Sequence, residues 1–354
     1  MDKHPRITSV GFFILVPPGV RPIIHDSAAK VQANSSPDEK CGLDGVDFFS
    51  GSQYPFRPLE PREQGRTLHG RSQIMDPWPV GVFLSSLGIQ DLVEAARAAA
   101  SLKLNVIQLP PLPPQYLEGP VKEALLSGIS EAGLTVSAGC AGFPGEDYSD
   151  MDLVRRTVGY TQPDTLEERL RITAQCASVA QQAKAYLLTT HVGIVPEDKS
   201  DPVWSLVVEA AQRAADDCAE KGLLLGLETG QETAEVMLDY IEAVGRDNLR
   251  INFDPANMIL YGTGDPIPAL KALKDFVVHV HCKDGLYPTG RGQLGTEVAL
   301  GQGEVGIARY LEALKEIGYE GPLMIEREAG NDRIGDIRRG RDLLLEHRKR
   351  LWNE

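Results

Sequence analysis

The stretch LRINFDPANMILYG (residues 249–262) begins as an apolar run of strand type and stops on Asp254-Pro255-Ala256-Asn257. Asp-Pro and Asn are common turn formers, so a turn explains the sequence locally. The fold is decided by the repetition of the pattern. From Val80 onward, short apolar runs alternate with amphipathic segments: VGVFL (80–84), NVIQL (105–109), LTVSA (134–138), YLLTT (186–190), LLLGL (223–227), LRINF (249–253), FVVHV (276–280) and PLMI (322–325). Apolar runs this short, bounded by turn signals, read as strands buried on both faces.

The intervening segments read as helices. DLVEAARAAASL (91–102) has apolar residues at helical spacing. TLEERLRITAQCASVAQQAKA (165–185) opens on Thr165 with a glutamate at the third helical position, the capping-box pattern. DPVWSLVVEAAQRAADDCAEKG (201–222) has Asp201 as N-cap, Pro202 at the first helical position and Gly222 as the stop. The last helix runs through LLLEHRKRLW to the C-terminal end. Strands separated by helices predict an α/β fold with a parallel sheet, and eight such units predict a closed (β/α)8 TIM barrel. A GxGxxG after the first strand would favour an open doubly wound sheet, and none is there.

Residues 1–74 differ in kind. Turn formers are scattered through PPG, SSPDEK, GSQYPFRP and PRE without a sustained period. They predict an irregular or poorly ordered N-terminal extension, followed by the barrel over 75–354. Nine basic and eight acidic residues give the extension +1, so the body carries −15 of the net −14. The run VGFFILVPPGV behind Lys3 and Arg6 has the look of a signal-peptide core, which would mean export, but Pro17-Pro18 interrupts it. Met75 is a candidate translation start, with organised sequence right behind it.

With 42% hydrophobic and 24% charged residues the chain reads as a soluble globular protein. No apolar run approaches the roughly 18 residues of a membrane span, and the acidic balance argues against a nucleic-acid partner. The five cysteines (Cys41, Cys140, Cys176, Cys218 and Cys282) are odd in number, widely spaced and lack a CxxC, so a cytoplasmic location is expected.

In a barrel of this type the C-terminal strand ends and the loops after them build the active site. Reading those ends gives Ser85, Gln108, Gly139 and His191 for the first four strands. The last four give Glu228 (GLETG), Asp254 (NFDPAN), His281 (VHVHCKD) and Glu326 (MIERE). One carboxylate after a buried strand reads as a helix cap or an ion-pair partner. Three carboxylates and an imidazole converging on one end would carry a large desolvation and repulsion cost unless a cation neutralised them. Three oxygens and one nitrogen suit one divalent ion: Mn²⁺, Mg²⁺, Co²⁺ or Zn²⁺.

GLETGQET, NFDPANMILYGTGDP, VHVHCKDG and LGQGEV…GYEGPLMIERE resemble the xylose-isomerase-like TIM barrel superfamily, within it the sugar phosphate isomerase/epimerase group. By that resemblance Glu228, Asp254, His281 and Glu326 match the four metal ligands of ketose 3-epimerases, and Glu228 and Glu326 match their acid/base pair. The resemblance implies a small-molecule carbohydrate substrate chelated through its carbonyl and a neighbouring hydroxyl, and an enediolate reached by proton abstraction. It also implies a homo-oligomer, dimers or tetramers being usual in the family. Some members carry out lyase or dehydratase chemistry on keto-inositols or 3-keto-glycosides, a second reading of the same site. A barrel that binds sugar without chemistry is a third, against which both glutamates speak.

One departure is Asn257, which stands where several relatives have a histidine. Asn can hydrogen-bond a sugar hydroxyl but is a poor metal ligand. Substrate contacts are expected from His191, Asn257, Lys283, Arg291 and Arg327. His279, two residues before His281 on the same strand face, reads as a packed residue beneath the site. The glycine-rich segment 285–306 reads as a substrate-covering loop, and Phe143 in AGFPGEDYSD (141–150) as a platform for the sugar. No glycine-rich phosphate cradle is evident.

Overall fold

The computed structural model describes residues 78–290 and 292–352. The predicted extension over 1–74, the Met75 start, Cys41 and Arg291 lie outside them. Eight parallel strands close into a barrel in the order β1-β10-β7-β6-β5-β4-β3-β2. The elements run β1 (Val80–Phe83), α1 (Leu92–Ser101), β2 (Val106–Pro111), α2 (Gly119–Glu131), β3 (Thr135–Ala141), α3 (Met151–Thr157), α4 (Leu166–Gln182), β4 (Leu187–Thr190), α5 (Pro202–Glu220) and β5 (Leu224–Glu228). Then come α6 (Ala234–Val244), β6 (Leu249–Phe253), α7 (Pro255–Tyr261), α8 (Pro266–Ala272), β7 (Val277–Cys282), β8 (Asp284–Leu286), β9 (Thr296–Val298), α9 (Ile307–Glu316), β10 (Leu323–Ile325) and α10 (Arg333–Trp352).

Closure rests on β1 pairing with both β10 (Val80↔Leu323) and β2 (Gly81↔Val106). Gly81 makes that possible: a Cβ there would stand 2.5 Å from Val106 O and 2.6 Å from Met324 Sδ. The strands are short and apolar because helices cover their outer faces and side chains fill the interior. On α5, Trp204, Val207, Ala210, Ala211, Ala214, Ala215 and Cys218 are buried at helical spacing, and the alanines let the helix approach the sheet closely. Each buried Val or Leu contributes about 1.5–3 kcal/mol relative to exposure. At the start of the described chain, the Trp78 indole donates to Tyr319 O at 2.6 Å and meets Trp352 edge-on at 4.4 Å.

Local chemistry explains most of the helix starts. Asp91 caps α1 by accepting from Val93 N and Glu94 N, and Asp201 caps α5 through Val203 N, with Pro202 behind it. The capping box expected at Thr165 does not form. A 3-10 turn over Pro163–Thr165 precedes α4 and puts Thr165 in helical geometry, so its hydroxyl bonds back to Gln162 O at 3.3 Å. The segment expected as a loop over 285–306 contains structure of its own, because β8 and β9 pair antiparallel (Asp284↔Val298). Asp284 anchors that segment at both ends: its carboxylate accepts from the backbone N–H groups of Gly285, Gly301, Gly303 and Val305 at 2.9–3.1 Å.

Candidate metal centre

Asp254 answers the question raised by its own sequence. Its backbone is extended and ends β6, and Pro255 sets the first turn of α7. Its Oδ1 caps that helix, accepting from Ala256 N at 2.8 Å and Asn257 N at 3.1 Å. The other oxygen, Oδ2, is buried and has no hydrogen-bond partner among the described residues. It faces His281 Nδ1 at 3.5 Å. One carboxylate is thus both turn former and ring member.

Three further strand ends meet it. Glu228 is the last residue of β5, His281 lies near the end of β7, and Glu326 follows β10. One ligand atom from each of Glu228, Asp254, His281 and Glu326 lies within 4.8 Å of all the others, and all four residues are buried. His281 Nδ1 stands 3.0 Å from Glu326 Oε2 and 3.4 Å from Glu228 Oε1. Like Asp254 Oδ2, both His281 Nδ1 and Glu326 Oε2 lack a hydrogen-bond partner among the described residues. Buried polar atoms are nearly always satisfied, so three orphans aimed at one point mark a place for a cation.

The imidazole is oriented to ligate. Gln108 Nε2 donates to Thr189 Oγ1 at 3.0 Å, and Thr189 donates to Gly139 O at 3.2 Å. Gln108 Oε1 lies 2.8 Å and Asn252 Nδ2 3.2 Å from His281 Nε2, so these two amides hold that edge of the ring and Nδ1 points into the ring of carboxylates. Burial alone would push the His281 imidazole down, but Glu326 and Glu228 outweigh it and hold it well above its usual range. Burial likewise works to raise Glu228, yet His191 and His281 hold it well below the usual carboxylate range. The cluster demands positive charge at its centre, which a proton or a divalent cation supplies.

The two glutamates have different neighbours. Glu228 Oε1 lies 3.5 Å from His191 Nε2 and accepts from the Asn257 amide at 3.2 Å. Burial lowers His191, but Glu228 raises it to about 9. Asn257 can come so close because residue 230 is glycine: at φ +143, a Cβ there would stand 2.2 Å from Asn257 Cβ. Glu326 Oε2 instead faces Lys283 Nζ at 3.2 Å. Lys283 also pairs with Glu328 Oε2 at 2.5 Å, donates to Asn257 Oδ1 at 3.4 Å and lies 3.9 Å from Asp254 Oδ2. Burial would lower this ammonium; Glu326, Glu328 and Asp254 hold it well above its usual range.

The structure therefore brings Glu228, Asp254, His281, Glu326, His191, Asn257 and Lys283 together. The Arg327 guanidinium is held by Glu297 at 2.6 Å and Asp336 at 2.9 Å, which ties β9 and α10 to the segment after Glu326. Phe143 is buried against Tyr160 and Arg169, at 5.1 and 5.2 Å, so it is not the expected sugar platform. The aromatic residue of that loop beside the site is Tyr148, whose ring lies 5.9 Å from His191. Sequence reading assigned no role to Gln108, Asn252 or Glu328. Asn252 did carry a signal, being a polar residue inside an apolar run at the same alternation as Asp254.

A closed parallel barrel with a buried Glu-Asp-His-Glu ring at its C-terminal mouth defines a (β/α)8 protein equipped to hold a divalent ion. The chain belongs to the family described as xylose isomerase-like TIM barrel, whose profile matches residues 96–347. It is 38% identical to the crystal structure of a xylose isomerase domain protein from Planctomyces limnophilus, which covers 79% of this chain and 100% of that one with a TM-score of 0.72. Among curated proteins, it is 25% identical over 281 residues to a ketose 3-epimerase of Arthrobacter globiformis, covering 75% of this chain and 85% of that protein. It is also 26% identical over 210 residues to an uncharacterized protein of Methanocaldococcus jannaschii, covering 52% of this chain and 66% of that protein's length.

Proposed function

We propose that this protein is a divalent-metal-dependent isomerase or epimerase of a small sugar or keto-sugar, acting by proton abstraction next to a carbonyl. The observation that carries the reading is the convergence of the orphaned Asp254 Oδ2, His281 Nδ1 and Glu326 Oε2 with Glu228 on one buried point. The relative named ketose 3-epimerase supports it. Bound at that point, a divalent cation would polarise the substrate carbonyl and offset the negative charge that develops on its oxygen. Mn²⁺, Mg²⁺, Co²⁺ and Zn²⁺ all suit the donor set.

This chain's own residues do the proton chemistry. Glu228 and Glu326 reach the site from different sides, with β6 and β7 between their strands. One carboxylate takes the proton from the carbon beside the carbonyl, and the other delivers one to the opposite face. His191 and Asn257 steady Glu228, and Lys283 steadies Glu326, while the same three donors are within reach of sugar oxygens. Arg327 acts through Glu297 and Asp336, fixing the chain after Glu326. Burial of the whole cluster keeps water from the carbanion face.

The test is metal content by elemental analysis of wild type and Asp254→Ala purified without chelator, followed by ketoses in deuterated water. About one divalent ion per wild-type chain, lost in the variant, is expected, with deuterium entering beside the carbonyl. A wild-type chain that takes up no metal after incubation with Mn²⁺ and Co²⁺ would sink the reading. Products that have lost a β-substituent would convert it to lyase chemistry.

A further inference from the structure

The two glutamates of the ring are held in place in different ways. Glu228 is the last residue of β5, in register with Asn252 of β6, and the residue after it still bonds to that strand, Thr229 N donating to Asn252 O at 3.2 Å. The sheet itself sets its position. β10 is three residues long against five for β5, and it has ended before Glu326. Glu326 N makes one last bond to β7, at Cys282 O and 3.2 Å, and the chain then leaves the sheet.

Beyond that point the backbone donors need acceptors from elsewhere. Arg327 N donates to Ser86 Oγ at 3.0 Å. The next two donate to the side chain of Glu297: Glu328 N to its two oxygens at 3.0 and 3.2 Å, and Ala329 N to Oε2 at 3.2 Å. The Arg327 guanidinium completes the set at Oε1. The chain folds over that guanidinium at Gly330, where φ is +88 and a Cβ would stand 2.5 Å from Arg327 Nη2. One carboxylate, its side chain only 8% exposed, thus gathers three consecutive residues. Charge-assisted bonds are about twice as strong as neutral ones, so this grip is a firm one.

The same carboxylate also acts on the other end of Glu326. Glu328, whose backbone Glu297 holds, pairs with Lys283 Nζ at 2.5 Å, and Lys283 faces Glu326 Oε2 at 3.2 Å. Lys283 is followed directly by β8, which pairs with β9 so that Gly285 stands opposite Glu297. The contacts close a circuit from β9 to the segment after β10, through Glu328 to Lys283, and along β8 back to β9. Glu326 belongs to that circuit by its backbone and, through Lys283, by its carboxylate.

We propose that Glu297 is a positioning residue for Glu326. Its hydrogen bonds go to Arg327, Glu328 and Ala329 and not to the ring itself, so it acts through them. The inference rests on the proposed metal-dependent role of Glu326, and adds the residue that sets where its carboxylate points.

The experiment compares the full chain with Glu297→Ala, Glu297→Gln and a control, Tyr240→Phe. The control loses the buried bond from the Tyr240 hydroxyl to Val207 O at 2.7 Å, between the outer helices α6 and α5, and so lowers stability alone. Mn²⁺ affinity, measured by competition with a chelator, should fall about 10–100-fold in Glu297→Ala. The fall should be smaller in Glu297→Gln, which keeps one acceptor, and absent in Tyr240→Phe. With Mn²⁺ saturating and D-fructose or D-tagatose as substrate, Glu297→Ala should lower kcat and leave KM unchanged, because a misplaced proton-transfer group slows the reaction without removing a substrate contact. Should Glu297→Ala fail to fold, Glu297→Gln carries the same comparison. Unchanged Mn²⁺ affinity and kcat, or losses matched by Tyr240→Phe, would overturn the proposal. If wild type binds Mn²⁺ and turns over neither ketose, the isomerase reading has failed, and the affinities alone decide the positioning role. If wild type binds no Mn²⁺, crystal structures of wild type and the variant decide it. Glu326 Oε2 moved away from Lys283 Nζ supports the role; an unmoved carboxylate refutes it.

Discussion

His279 and His281 sit two residues apart on the same face of β7, with ring centroids 6.2 Å apart, and have opposite environments. In the lower layer, His279 Nδ1 meets Asn252 Oδ1 at 2.8 Å and Nε2 meets Ser137 Oγ at 3.0 Å. Both nitrogens are satisfied, and burial followed by the charge of His281 pushes the imidazole down to about 3. In the upper layer, His281 Nε2 meets the amides of Gln108 and Asn252 while Nδ1 lies among carboxylates, which hold the imidazole well above its usual range. The lower layer is closed, and stabilises the barrel. Of the two layers, the upper one holds the unpartnered Asp254 Oδ2, His281 Nδ1 and Glu326 Oε2 among the described residues, and it is the layer on which the proposed chemistry rests.

Four experiments test that division, in order of expected effect. Glu326→Gln keeps the shape and removes the base; kcat should fall on the order of 10²–10⁴-fold with the fold intact. Steady-state kinetics beside a thermal melt reads this, and unchanged turnover would place the chemistry elsewhere. His279→Ala should do the reverse, costing about 2–4 kcal/mol of stability through a cavity and two broken hydrogen bonds while metal is retained. Denaturant titration and metal analysis together check it; a variant that keeps its stability and loses its metal would dissolve the distinction between layers.

Glu232 sharpens the comparison from another side. It is buried four residues after Glu228 and accepts from Val195 N at 3.0 Å, but no cation among the described residues pairs with it. Burial raises its carboxyl to about 7. Because the folded value lies above the unfolded one, its protonated form favours folding at low pH, and that contribution is lost as pH rises from about 4.5 through 7. Glu232→Gln, which keeps an acceptor for Val195, should therefore match wild type near pH 4 and exceed it at pH 8 by up to about 3 kcal/mol. Denaturation at both pH values reads the difference, and a variant less stable at pH 8 would contradict the burial argument. The smallest effect is expected from Gln108→Leu, which frees the His281 tautomer: metal affinity should drop about 10–100-fold, measured by competition with a chelator. Unchanged affinity would mean that the imidazole needs no such orientation.

The ring was legible because its members stand where barrel strands end, and strand ends are marked by local chemistry. Asp254 was readable twice over, as a cap by its Asp-Pro-x-Asn context and as a ring member by its place after β6. The partners that hold the ring were not legible. Gln108 and His281 meet across 173 residues and Ser137 and His279 across 142, and nothing in either neighbourhood names the partner. Lys283 and Asp284, adjacent in the chain, invite a reading as an ion pair. The fold turns their side chains apart, Asp284 into a cradle of backbone N–H groups and Lys283 towards Glu326 and Glu328.

The sequence by itself determined the barrel, the strand that each site residue follows and the Glu-Asp-His-Glu order, because short apolar runs, caps and turn residues act over a few positions. Only the tertiary structure decided which polar atoms end up without partners, and that the Arg327 guanidinium is held by Glu297 and Asp336. Those outcomes depend on which side chains meet once the barrel has closed, and hydrogen-bond satisfaction is a property of the whole set of contacts, not of any stretch of chain.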